Sequence, residues 1–350
     1  MDKPLVSISV VTYNHKNYIK ECLDGILLQQ TTFPFEIILG EDESKDGTRE
    51  ICKTYAENHP DKIKFFLRSR KDVIYINGNP TGRYNFIENL KACKGRYIAL
   101  CEGDDYWTDP LKLQKQVDFM EANPEYAMIF TNGKVLYTNE NNESHLIYSN
   151  SKGKSKASYD TFPLPKETTD IHVLARGNYI HTPGVLFLNW VDEGIPSYME
   201  KTTIGDWPLH LTTATKGLIK FIDEDTFCYR VHSNGIYSKK SKIEKLKMAL
   251  GQFYPVLSSG IFNKDVTVII EEYCFRVASN YIRMCDTNED YEYLMNIVFS
   301  IDSSKLTKNI TLQLIEKNVK LTNLVKKLKP YKDFNFKRVG KLFIKKYFNK

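Results

Sequence analysis

Short apolar runs alternate with helical patterns through the first ~130 residues, a rhythm met by parallel strands laid side by side under crossover helices. Val6–Val11 reads as a buried strand. Tyr18–Gln30 follows as a helix, with Ile19, Cys22, Leu23, Ile26 and Leu27 recurring on one face. Phe35–Leu39, Ile63–Leu67, Tyr97–Cys101 and Tyr126–Phe130 are the next strands, with helices at Gly47–Asn58 and Arg83–Lys94 between them. Asp109 and Pro110 suit the N-cap and first position of a further helix, which would bury Leu113, Val117 and Met120.

The rhythm then changes. Residues 138–170 are polar, rich in Asn, Ser and Lys, and read as a long irregular excursion of the functional or mobile kind. Between 171 and 238 come a short helix, a strand near Gly184–Leu188, a helix starting near Asp206 and a strand near Phe227–Val231. From Lys239 the pattern is helical throughout. Two amphipathic segments close it: Leu314, Leu321, Leu324 and Leu328 share a face before Pro330, and Phe336, Val339, Phe343 and Tyr347 share one after it. The expected organisation is a domain over 1–238, with halves 1–132 and 133–238, and a helical region over 239–350.

Charge follows this division. Residues 301–350 carry 14 Lys/Arg against 3 Asp/Glu, leaving 35 against 40 in the other 300. A mildly acidic body argues against nucleic acid as a partner, which would need basic residues spread over a groove. The basic amphipathic tail suits an anionic membrane surface; the alternative is that it packs on the body with its lysines solvated. The seven cysteines show no C-x-x-C spacing, and several sit in apolar runs, so reduced thiols are expected rather than disulfides or a zinc site. Neither a signal peptide nor a run of ~18 apolar residues is found, which predicts a cytoplasmic protein, peripheral on the inner face of the membrane if the tail binds there.

In open α/β sheets, ligands bind beyond the carboxyl ends of the strands. Thr12-Tyr13-Asn14 follows the first strand, Gly40 to Thr48 (GEDESKDGT) the second, and Glu102-Gly103-Asp104-Asp105 the strand at Tyr97. An acidic cluster repels itself unless something positive is bound, and hard carboxylate oxygens suit Mg²⁺ or Mn²⁺ where a substrate's phosphates complete the shell. The alternative for the last cluster is an acidic first turn leading into the 109–122 helix.

Taken in order, Val6–Asn14, Glu41–Thr48 and Glu102–Asp105 resemble the family 2 glycosyltransferases, with a spacing that covers roughly residues 4–235. The resemblance implies the GT-A fold: a Rossmann-like, mostly parallel central sheet flanked by helices, here with a C-terminal helical extension. It makes 1–132 the nucleotide-sugar-binding half and 133–238 the acceptor-side half. Val11, Thr12, Tyr13 and Asn14 match the loop that cradles the base, and Asp42, with Glu41 beside it, matches the acid that contacts base or ribose. Arg83 matches a basic position near the nucleotide or its phosphates. Glu102-x-Asp104, with Asp105 following, matches the D-x-D motif that holds Mn²⁺ or Mg²⁺, and His232 a downstream histidine that can complete the metal site. Asp206 matches the catalytic acid at a helix start on the acceptor side.

The implied reaction is transfer from a nucleotide-diphosphate sugar, a UDP-sugar by resemblance, to a hydroxyl of a glycan or lipid-linked acceptor, in building a surface polysaccharide. Asp206 would take the acceptor's proton, and one direct displacement would invert the anomeric centre. Trp107, Trp207 and His181 are candidate acceptor-side residues, the indoles because sugars stack on aromatic faces; packing is the competing role for each. The chain departs from the family pattern at Glu43, where Gly is usual, at Glu102, where Asp is usual, and at Gly205, where an acid commonly precedes the base. A nucleotidyltransferase of the same fold would carry a Gly-rich signature where this chain has Thr12-Tyr13-Asn14-His15-Lys16, and a degenerate binding or scaffold protein would lack Asp104 or Asp206.

Overall fold

A computed structural model describes residues 3–138, 144–147, 165–233, 235, 237, 239–285, 287–301 and 309–310. The chain divides into two compact units, Met1–Lys240 and Ser241–Lys350. The tail faces built on Leu314 to Leu328 and Phe336 to Tyr347 lie outside the described residues, as does most of the 138–170 excursion.

The first unit opens with β1 (Val6–Thr12), α1 (Ile19–Leu27), β2 (Phe35–Glu41), α2 (Thr48–Asn58) and β3 (Ile63–Leu67). A small hairpin, β4 (Tyr75–Ile76) and β5 (Asn79–Pro80), precedes α3 (Arg83–Ala92), β6 (Tyr97–Glu102), β7 (Tyr106–Trp107), α4 (Lys112–Ala122) and β8 (Tyr126–Tyr137). After β9 (Ser144–Leu146) and β10 (Thr168–Thr169) come α5 (Ile171–Leu174), β11 (Val185–Leu188), α6 (Asp206–Ala214) and β12 (Leu218–Val231). Among the described residues the main sheet runs β10-β12-β8-β11-β6-β1-β2-β3, with β7 on β12 and β9 on β8. β3, β2, β1 and β6 are parallel, whereas β11 runs antiparallel to both its neighbours.

β1 sits between β2 and β6 with Val6, Ile8 and Val10 fully buried, as a strand covered on both faces must be. α1 presents Ile19, Cys22, Leu23 and Ile26 to that core, and each buried aliphatic is worth about 1.5–3 kcal/mol. α3 is held differently: buried Asn89 donates to the carbonyls of Val10 and Ile38, and Asn85 to that of Gly40. All seven cysteines are buried free thiols.

Three local expectations change. The helix after β6 begins at Lys112, not Pro110; Asp109 instead accepts the Leu111 N–H in a turn that precedes it. β8 and β12 extend far beyond the short runs at 126–130 and 227–231, because they pair in parallel through polar stretches whose partner is remote in sequence. β7 was not anticipated at all; two residues carry no periodicity.

The second unit contains α7 (Lys242–Gly251), α8 (Phe253–Leu257), α9 (Lys264–Met284) and α10 (Asn288–Ser300). Ser241 and Glu244 cap α7 reciprocally, and Asn263 caps α9. Its core includes Leu250, Phe253, Val256, Ile270, Val277, Leu294 and Val298. No described helix is long and apolar enough to cross a membrane.

Candidate active site

The polar ends of β1, β2 and β6 lie side by side because these strands are parallel neighbours. Their loops are tied together by short bonds. The Asn14 N–H donates to Ser44 Oγ at 2.8 Å, and the Lys45 N–H returns to Asn14 Oδ1 at 3.0 Å. Thr12 is buried at the end of β1, and Val11 is half-buried. Asp42 is 3% exposed and pairs with Arg70 Nη1 at 2.5 Å. Burial pushes the Asp42 carboxyl above its ordinary value, and Arg70 opposes the shift. The same guanidinium lies 4.7 Å from the centre of the Tyr13 ring. An open cavity of about 400 Å³ is lined here by Tyr13, Glu43, Lys45, Arg70 and Lys71. Glu41, a candidate nucleotide contact, is fully buried instead and spends its carboxylate on Arg49 and the Ser44 N–H. Its geometry is that of a loop brace.

Glu43 explains one departure from the family pattern. Its φ is +60°, in the left-handed region where glycine is usual. The carboxylate compensates by accepting the Arg70 N–H at 2.5 Å, which fixes the segment that carries Arg70.

Beyond β6 the chain turns through Gly103, where an added Cβ would lie 2.6 Å from Thr12 Oγ1. Close approach to the β1 loop, not a left-handed φ, is what requires glycine there. Asp104 then lies between two imidazoles, with His232 Nε2 at 3.0 Å and His15 Nε2 at 3.7 Å from its Oδ2. Burial would raise the Asp104 carboxyl, but His15 and His232 outweigh it and hold it below its ordinary range. Asp105 is 1% exposed; its Oδ1 accepts the Arg230 N–H at 2.8 Å, while Arg230 Nη1 donates to the Asp104 carbonyl at 2.9 Å. Asp105 therefore ties the acidic loop to β12, and its Oδ2 has no hydrogen-bond partner. Burial, together with the charges of Asp104 and Asp206, pushes Glu102 up to about 8 against the pull of Arg83. Oxygens of Glu102, Asp104 and Asp105 lie within 4.8 Å of one another. That donor set, with an orphaned buried oxygen among it, fits a hard divalent cation such as Mg²⁺ or Mn²⁺.

Asp206 opens α6, with Oδ1 accepting the Trp207 N–H at 2.8 Å and Oδ2 accepting Asn178 Nδ2 at 2.8 Å. Burial raises its carboxyl above the ordinary value; the Trp207 N–H, Arg83 and Asn178 pull the other way. Arg83 is 8% exposed, donates to the Thr202 carbonyl at 3.1 Å, and is pushed down to about 10 by burial. A Cβ on Gly205 would lie 2.0 Å from Arg83 Nη1. The missing acid before Asp206 is thus the seat of a guanidinium, whose charge acts on both Asp206 and Glu102.

Trp107 and Trp207 are 3% and 1% exposed, so neither shows a face on which a sugar could stack. Trp107 donates to the Pro183 carbonyl and carries buried Lys112 4.2 Å from its ring centre; Trp207 donates to the Leu174 carbonyl. His181 packs edge-on against Tyr229 at 5.3 Å, and burial pushes it down to about 4. Sequence reasoning passed over Arg70, His15, Arg230, Asn178 and His210. Arg70 and His15 follow β3 and β1, and applying the strand-end rule to every residue of those loops would have found them.

A four-strand parallel block, an inserted antiparallel strand and acids at adjacent strand ends define the GT-A class of α/β architecture. Solved structures share it: S. aureus TarS 1–349 in complex with UDP-GlcNAc aligns with a TM-score of 0.55 at 16% identity, covering 84% of this chain and 79% of that one. A mannosyltransferase from Pyrobaculum calidifontis in complex with GDP-Man and Mn²⁺ aligns at 0.54 and 14%, covering 94% and 85%. An uncharacterized protein of Mycobacterium tuberculosis is 35% identical over 233 residues, 66% of this chain and 60% of its own length. A putative teichuronic acid biosynthesis glycosyltransferase of Bacillus subtilis is 33% identical over 118 residues, 34% of this chain and 42% of its own. This chain therefore spans about 60% of the length of the one curated relative and 42% of the other. Residues 7–178 match the family described as Glycosyl transferase family 2, and this part of the chain is a domain of that family.

Proposed function

We propose that the chain transfers a sugar from a UDP-sugar to a hydroxyl of a glycan or lipid-linked acceptor, with inversion. The observation that carries this reading is the acidic cluster at the end of β6, where oxygens of Glu102, Asp104 and Asp105 lie within 4.8 Å of one another, with Asp206 at the start of α6 and Arg83 close enough for their charges to act on Glu102. A leaving diphosphate needs positive charge and an attacking hydroxyl needs a base, and this arrangement offers both.

Tyr13, Asp42 and Arg70 form the base-binding end, beside the cavity whose Lys45 and Lys71 suit an anionic ligand. Mn²⁺ or Mg²⁺ held by Glu102 and Asp104, with His232 beside them, would supply Lewis-acid stabilisation to the departing diphosphate. Asp206 accepts the proton of the acceptor hydroxyl. The acceptor oxygen bonds to the anomeric carbon as the bond from that carbon to the diphosphate oxygen breaks, and the electron pair leaves with the diphosphate. Burial that raises the Asp206 carboxyl makes it a stronger base. A role in surface polysaccharide assembly is supported by the name of the Bacillus subtilis relative, and a uridine donor by TarS.

The test is release of nucleotide diphosphate from a panel of UDP- and GDP-sugars with Mn²⁺, with the anomeric configuration of the product read by NMR. An inverted product formed from a UDP-sugar is expected. Retention, or turnover of GDP-sugars alone, would overturn the corresponding part.

A further inference from the structure

The carboxylate of Asp206 is held by more than its own helix. Asn178, which follows α5 through Gly177 at φ +148°, donates from Nδ2 to Asp206 Oδ2 at 2.8 Å. Its Oδ1 accepts the Ile180 N–H at 3.2 Å, so the two neighbours together fix which end of the amide faces the acid. His210 Nδ1 approaches the same Oδ1 at 3.4 Å. Because that oxygen only accepts, Nδ1 must carry the proton, and the ring is the neutral Nδ1–H tautomer. His210 is fully buried, and its Nε2 has no hydrogen-bond partner. A ring buried with one nitrogen unsatisfied costs free energy, which a leucine at this position would avoid. The same segment is clamped from the other side, where Trp207 Nε1 donates to the Leu174 carbonyl at 2.9 Å. Residues 206, 207 and 210 all lie at the start of α6, so three side chains of one helix end grip a stretch about thirty residues earlier in the chain.

We infer that Asn178 and His210 are positioning residues: His210 orients the Asn178 amide, and the amide orients the Asp206 carboxylate toward the acceptor. The inference rests on the reading of Asp206 as the base. With the Trp207 N–H on Oδ1 and the amide on Oδ2, rotation of the carboxylate would break a bond at each oxygen. Reaction geometry is sensitive on this scale, and a misplacement of ~1 Å costs up to about 100-fold in rate.

The test uses the full chain with the sugar nucleotide it turns over best, comparing kcat, donor KM and UDP binding. Asn178→Ala is expected to lower kcat by roughly 10–100-fold with donor KM and UDP affinity unchanged. His210→Leu should lower kcat in the same way, while His210→Asn, whose amide nitrogen can stand where Nδ1 stood, should restore most of it. A merely structural clasp would respond to both substitutions alike. The deciding measurement is Asn178→Ala in an Asp206→Asn background, where no further loss of the residual rate is expected. An equal loss in both backgrounds would overturn the inference while leaving Asp206 as the base. Full activity of Asp206→Asn alone would overturn the base assignment and this inference with it.

Discussion

The two sides of the site are built by different means. On the donor side, Thr12, Asp42, Glu102 and Asp104 stand at or just beyond the ends of parallel strands, and the ladder itself brings them together. On the acceptor side no ladder helps. Asp206 is fixed by the Asn178 side chain from the segment after α5 and by the Trp207 N–H of its own first turn, with the charge of Arg83 from α3 acting on it. Backbone placement tolerates side-chain change nearby, whereas side-chain placement does not. Substitutions around Asp206 should therefore disturb chemistry without disturbing nucleotide binding.

Asp206→Asn puts the largest effect on that comparison. General-base removal costs about 10²–10⁴ in kcat, and UDP affinity by calorimetry should stay unchanged. Loss of UDP binding in this variant would show that the two sides are not separable. Lys112, at the start of α4, is fully buried against the Trp107 ring, and burial pushes it from 10.5 down to about 7. The unfolded chain then binds more protons between those values, so this group makes stability rise with pH across that window. Lys112→Met should stabilise the fold by about 1–4 kcal/mol at and below neutral pH, and the gain should fade as pH approaches the ordinary lysine range. Thermal scans across a pH series read it; a gain that is constant with pH would contradict a buried charge.

Gly205→Ala tests the guanidinium seat. Displacing Arg83 should cost about 1–3 kcal/mol and lower Tm by several degrees, with kcat falling more than donor affinity. An unchanged Tm and rate would mean that Arg83 has other places to sit. The smallest effect is expected from Glu43→Gly. Relief of the left-handed backbone, about 1 kcal/mol, is set against loss of the bond to the Arg70 N–H, so Tm should barely move while UDP binding weakens slightly. A large gain in Tm would show that the carboxylate contributes little.

The same contrast governs what the sequence could disclose. Period-2 and period-3.6 patterns place β1, α1, β2 and β6 within a residue or three of where they lie, and the strand-end rule then points at Asp42 and at Glu102 to Asp105 without further help. Asp206 stood out by family resemblance alone, since one acid at a helix start is indistinguishable from a cap. Asn178 and His210 were not legible, because an Asn in a loop and a His on a buried helix acquire meaning only when folding brings them to Asp206. Trp107 and Trp207 misled for the opposite reason: nearness in sequence to an acid says nothing about which face of an indole is open. The length of β8 and β12 was hidden because their polar residues sit in a long-range parallel pair that local periodicity cannot register.

A metal-assisted nucleotide site at the β6 strand end is tested by calorimetric titration with UDP, with and without Mn²⁺, on the native chain and on Asp104→Ala. UDP binding should strengthen with Mn²⁺ in the native chain and lose that dependence in Asp104→Ala. UDP binding of equal strength in all four titrations would contradict it.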